Sequence, residues 1–205
     1  MRKILIALAG ATALSAASAA NATLFAGSTL GCFGPGCGLA NSSSTSGITF
    51  TSGTFSQADS NGYVGIGTGT APYTDTFGLI SVTNLNADWV NVPFSLMITF
   101  TDPTATSTLY SALLNGSVSS DGRGGGTIDF DNSPRTFSFA GGTFSLTVND
   151  LSFSAGGTDL PLNGTIRVAA AAVPEPATWG LMLLGFGGIG MAMRRRRRPR
   201  LAQIA

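Results

Sequence analysis

Phe94-Ser95-Leu96-Met97-Ile98-Thr99-Phe100 carries Phe94, Leu96, Ile98 and Phe100 at every second position. A period of two belongs to an extended strand with one buried face, because successive side chains leave a pleated backbone in opposite directions. The pattern recurs on both sides. Ile48-Thr49-Phe50-Thr51 alternates upstream, and Phe144-Ser145-Leu146-Thr147-Val148 alternates downstream, continuing toward Leu151 and Phe153. Phe, Thr, Val and Ile suit such a half-buried surface, whereas Glu and Lys, frequent on helix faces, are missing between residues 23 and 170. Gly-Gly pairs punctuate the runs. Phe139-Ala140-Gly141-Gly142-Thr143-Phe144 reads as a hairpin turn, and residues 120–126 as a longer loop. This spacing predicts strands near 48–55, 77–83, 92–101, 108–118, 126–131, 135–140, 143–153 and 162–168. The fold class is therefore all-β: an antiparallel β-sandwich, with a jelly roll as the competing arrangement.

Of the 205 residues only 10% are charged, against about 25% in an average soluble domain. There is no His, which removes the commonest general base and the commonest metal ligand. The charges are also segregated. Arg2 and Lys3 open the chain, the Arg run and Arg200 close it, and the middle keeps only Arg123, Arg135 and Arg167. Set against nine Asp, those three leave residues 23–170 near −6, a sign that speaks against nucleic acid as a partner.

Both ends read as addresses. Met1-Arg2-Lys3, the apolar run over residues 4–14 and the small residues after it form a secretory signal peptide over residues 1–22. Cleavage by signal peptidase fits after Ala22, Ala20 or Ala19. At the other end, Pro174-Glu175-Pro176 precedes an uncharged, mostly apolar stretch over residues 177–193, and Arg194, Arg195, Arg196, Arg197 and Arg198 follow. As a helix its 17 residues cover roughly 25 Å, slightly less than a hydrocarbon core of about 30 Å. The expectation is a single C-terminal transmembrane helix, with the Arg cluster on the cytoplasmic side and Trp179 anchoring the opposite interface. The chain then divides into a signal peptide (1–22), an exported body (23–170), a sorting tail (171–198) and a short cytoplasmic end (199–205).

The stretch Val173-Pro174-Glu175-Pro176-Ala177-Thr178-Trp179-Gly180, its apolar continuation and the five Arg together resemble the PEP-CTERM sorting signal of Gram-negative bacteria. The variant with Trp three residues after the second Pro is the most similar, although it usually has Ala where this chain has Gly180. The resemblance implies that exosortase, a membrane-embedded peptidase, reads Pro174, Glu175 and Pro176 as recognition residues. It further implies a transient stay in the inner membrane, then delivery to the cell surface or the extracellular matrix. Gly126-Thr127-Ile128-Asp129-Phe130-Asp131-Asn132 and the run from Phe137 to Ser152 are similar to choice-of-anchor bodies, which implies a secreted β-rich module with no assigned activity.

Few constellations in the body can carry chemistry. Cys32 and Cys37, in Cys-Phe-Gly-Pro-Gly-Cys, are an even pair in an exported chain and read as one disulfide. Without His, the two thiolates make only half a zinc site. Asp129 and Asp131 fall on one side of a strand, so they are the candidate ligands for Ca²⁺, with Asp121 or Asp150 joining from loops; the competing reading is a solvated strand face. Ser and Thr are plentiful, but no His and no body Lys stands ready to activate one. Trp89, Tyr63, Tyr73 and Tyr110 are candidates for a carbohydrate-stacking surface, or else scattered core and edge aromatics. The expected function is an exported, non-enzymatic surface or matrix protein without a cofactor, associated with exopolysaccharide or biofilm. The alternative is a carbohydrate- or Ca²⁺-binding module acting on exopolysaccharide.

Overall fold

The computed structural model describes residues 22–69, 72–83, 86–157, 159–170 and 176–196. Among them run β1 (Leu24–Phe33), β2 (Ser42–Thr45), β3 (Ile48–Thr51), β4 (Thr54–Ala58), β5 (Tyr63–Ile66), β6 (Leu79–Val82), β7 (Ala87–Asp102), β8 (Thr106–Val118), β9 (Gly124–Phe130), β10 (Arg135–Phe139), β11 (Gly142–Val148), β12 (Leu151–Ser154), β13 (Leu160–Pro161) and β14 (Gly164–Ala170), followed by the helix α1 (Pro176–Arg196). The protein is all-β in its strand content, as the alternating pattern predicts. Ala22–Ala171 forms one compact unit, and α1 lies outside it. Residues 1–21 of the predicted signal peptide (1–22) and the end over 199–205 lie outside the described residues.

The strands pair antiparallel into three sheets, ordered β12-β9-β8-β7-β1-β4, β10-β11-β14-β5 and β13-β6-β3-β2. The even-numbered row of β7 explains how they pack. Phe94, Leu96, Ile98 and Phe100 are all buried. Phe100 meets Phe144 of β11 at 5.1 Å between ring centroids, while Phe94 meets Phe50 of β3 at 5.4 Å. One face of the six-stranded sheet is thus covered at one end by the second sheet and at the other by the third. Tyr110 adds a polar tie across this interior, its hydroxyl donating to the Leu146 carbonyl at 2.8 Å.

Several expectations are corrected. The strand predicted at 48–55 breaks at Ser52-Gly53 into β3 and β4, which enter different sheets. Gly53 N–H there turns to the buried Thr29 hydroxyl at 3.0 Å instead of continuing a ladder. The strand predicted at 143–153 breaks at Asn149-Asp150, and β11 and β12 likewise part to different sheets. The loop predicted over 120–126 is shorter, since Gly124, Gly125 and Gly126 already belong to β9. β1, β2, β5 and β13 form outside the predicted strands. The hairpin predicted at residues 139–144 is present as β10–β11, with Phe139 opposite Gly142.

β7 extends seven residues before Phe94, and a bulge makes this possible. The register shifts between Trp89 and Val92, with Asn91 at φ 50°. A strand keeps its inward side chains on one parity, so inserting one residue switches parity. Ala87 and Trp89 point inward before the bulge, Phe94 and Leu96 after it, and Val90 is left in solvent.

Candidate functional site

Helix α1 begins at Pro176, a position where the missing N–H costs nothing because first-turn N–H groups have no intrahelical acceptor. Leu181, Met182, Leu183, Leu184, Phe186, Ile189, Met191 and Met193 are all exposed. At 100° per residue they spread around every side of the helix, so no single face is set apart for packing on protein. The apolar run stops at Arg194, which is exposed, and the helical backbone continues through Arg195 and Arg196. The backbone of Trp179 lies in the first turn. Pro174, Glu175, Arg197 and Arg198 lie outside the described residues.

Among the described residues no helix is long and apolar enough to cross a membrane. The expectation of a single transmembrane helix is corrected accordingly. The physical reason is visible in the sequence: Gly180, Gly185, Gly187, Gly188 and Gly190 dilute the hydropathy of a short stretch, and the charges begin at Arg194. What the structure provides is a short, bare, glycine-rich apolar helix ending in cations.

In the body, a disulfide joins Cys32, buried on β1, to Cys37 in the following loop. Two of the four aromatic candidates belong to the interior, and Tyr73 is half-buried. Trp89 and Tyr110 are fully buried in the core, and Tyr63, though half exposed, lies under the Arg167 guanidinium at 5.7 Å. The acidic candidates separate as well. Asp129 stands exposed on β9 opposite Leu113. Asp131 falls beyond the end of β9, where it accepts Ser133 N–H at 3.0 Å and pairs with Arg135 at 3.0 Å. Asp150 accepts Phe130 N–H at 2.8 Å and the Asn132 amide at 3.0 Å, closing the turn after β9. Among the described residues no group of three or more His, Cys, Asp or Glu is placed to hold a metal ion. A shallow depression of about 420 Å³ lined by residues 152–157 and Leu160 has no titratable side chain in its lining.

A further acidic residue has a defined role in the fold. Asp59, in Asp59-Ser60-Asn61-Gly62, sits in a turn sequence, and its two carboxylate oxygens accept N–H groups from Gly62 (3.0 Å) and from Thr23. The turn signal was readable, but the partner 36 residues upstream was not.

A β-rich body followed by Pro-Glu-Pro, a bare apolar helix and an Arg run is the layout of an exported protein with a C-terminal sorting tail. The family model described as the PEP-CTERM protein-sorting motif matches residues 172–198, so this chain carries that motif. The motif marks an exported protein that exosortase, a membrane protein, processes and sorts to the cell surface. No curated protein and no solved structure matches the chain.

Proposed function

We propose that this chain is a non-enzymatic surface or extracellular-matrix protein, an antiparallel β-sandwich delivered by its tail and associated with exopolysaccharide. The observation that carries the reading is the helix α1, apolar on every side and bounded by Arg194, within the span matched by the sorting motif. Such a helix gains by leaving water. Before processing it associates with the inner membrane, its apolar side chains entering the lipid and Arg194, Arg195, Arg196, Arg197 and Arg198 meeting the headgroups. Exosortase then reads Pro174, Glu175 and Pro176 and frees the body. The body, with no His, Lys or Glu, supplies a β-sheet scaffold rich in Ser and Thr.

The test is the intact mass of the protein recovered separately from cells and from extracellular matrix. Matrix protein lacking everything after the Pro-Glu-Pro region is the expected result. A mass that retains the Arg cluster in every fraction would remove the surface reading and leave a periplasmic domain on a permanent anchor.

A further inference from the structure

Three leader cleavage positions satisfy the small-residue rule: after Ala19, Ala20 and Ala22. The fold distinguishes them. The compact unit begins at Ala22, which is exposed, and the first strand begins at Leu24. Just before that strand, Thr23 and Asp59 extend the β1–β4 ladder by one step beyond the Leu24–Ala58 pair. Asp59 N–H donates to the Thr23 carbonyl at 2.9 Å, and Thr23 N–H donates to the Asp59 carboxylate. That carboxylate is half-buried and its other oxygen is held by Gly62 N–H. Among the described residues the ion pairs are Arg123–Asp121 and Arg135–Asp131, so no side-chain cation there answers Asp59.

From this geometry we infer that the leader is cut between Ala22 and Thr23, and that Asp59 is the built-in counter-ion of the new N-terminus. The inference rests on the export reading. In the leader peptidase, water adds across the Ala22–Thr23 peptide bond. The leader departs with the Ala22 carboxylate, and the body keeps the Thr23 α-amine, which is protonated at neutral pH. The nitrogen that already meets Asp59 as a neutral amide then meets it as an ammonium, and the hydrogen bond becomes charge-assisted. Cleavage after Ala20 would leave Asn21 and Ala22 ahead of Thr23, placing the ammonium up to about 7 Å farther along the chain. Only the cut after Ala22 puts the charge on the nitrogen that already meets the carboxylate.

The body's composition provides a direct probe. The sole Lys is Lys3, in the leader, so the mature protein has a single amine, at its N-terminus. Amine-directed acetylation therefore removes one charge at one atom, whereas reductive dimethylation modifies the same atom and keeps the charge. The full chain is expressed with its own leader in a Gram-negative host and the exported product is weighed. A mass beginning at Thr23 is expected. A mass beginning at Ala20 or Asn21 overturns the inference while leaving export intact, and a product retaining Met1 overturns both. Exported protein is then acetylated or dimethylated and its thermal unfolding followed at pH 7. Acetylation is expected to lower the midpoint by about 2–4 °C relative to dimethylation, and Asp59→Asn to abolish that difference. Coincident midpoints for the two modified wild-type proteins overturn the ion pair even if Asp59→Asn does not fold. The midpoint of unmodified protein should also fall as pH rises above about 8, where an α-amine begins to lose its proton.

Discussion

Tyr110 carries a phenol in the centre of an aromatic interior. It is fully buried, its hydroxyl donates to the Leu146 carbonyl, and the Arg135 guanidinium lies 5.3 Å from its ring centroid. Burial pushes the phenol well above its usual value of about 10; Arg135 pulls it down in part, and Asp131 adds to the upward push. The folded protein therefore holds this proton at a pH where the unfolded chain has released it. The resulting stability is complete below pH about 10 and is lost progressively as pH rises above it. Tyr110→Phe is expected to cost about 1 kcal/mol at neutral pH through the missing hydrogen bond. It should also flatten the alkaline decline. Urea unfolding of both proteins at pH 7 and pH 11 measures this, and equal alkaline losses would show that the phenol is not their source.

Among the elements, β1 shows why part of the fold was hidden from the sequence. It lies inside the six-stranded sheet, between β7 and β4, yet Gly27, Ser28 and Gly31 interrupt its alternation. Those glycines are filled from outside: a Cβ on Gly31 would lie 2.7 Å from the Phe50 ring, and one on Gly27 would lie 2.2 Å from the Thr99 carbonyl of β7 and 2.7 Å from the Phe55 ring. The apolar volume that would mark a buried strand is supplied by rings about 20 to 30 residues away, and a local pattern cannot register it. Gly31→Ala is accordingly expected to cost about 1–3 kcal/mol, because the ring or the strand must move. An unchanged denaturation midpoint would mean that Phe50 finds another rotamer freely. β7 was legible over Phe94–Phe100 for the opposite reason, since its own side chains fill its inner face. Its first residues were missed because the bulge at Asn91 reverses parity. The tail was legible in order and position because its signal is contiguous. Its length and its five glycines were readable too, and they weigh against the span that the apolar run suggests. The Thr23–Asp59 contact joins two distant points of the chain and has no sequence signature.

For the molecule as a whole, the covering layer is divided between two four-stranded sheets, and buried threonines tie the chain where it passes between them. The Thr29 hydroxyl on β1 donates to the Phe77 carbonyl at 3.0 Å and accepts Gly53 N–H at 3.0 Å. The Thr76 hydroxyl donates to the Leu162 carbonyl at 2.8 Å, linking the approach to β6 with the approach to β14. Thr29→Val keeps the shape but leaves Gly53 N–H buried without this acceptor, a loss of about 1–3 kcal/mol. Thr29→Ser should recover most of it, and chemical unfolding of the pair separates the hydroxyl from the methyl. If Ser is no better than Val, packing rather than the hydroxyl is what the site requires.

The position of β14 has a mechanical consequence. It is the last strand of the body, five residues before α1, and it is not an edge: β11 pairs along its full length on one side and β5 on the other. A pull transmitted through Ala170 along the strand axis therefore stretches two ladders in shear, and their hydrogen bonds must fail together rather than peel one by one. A body tethered by this end, in flow or between moving surfaces, is loaded through an inner strand of its second sheet and not through an edge.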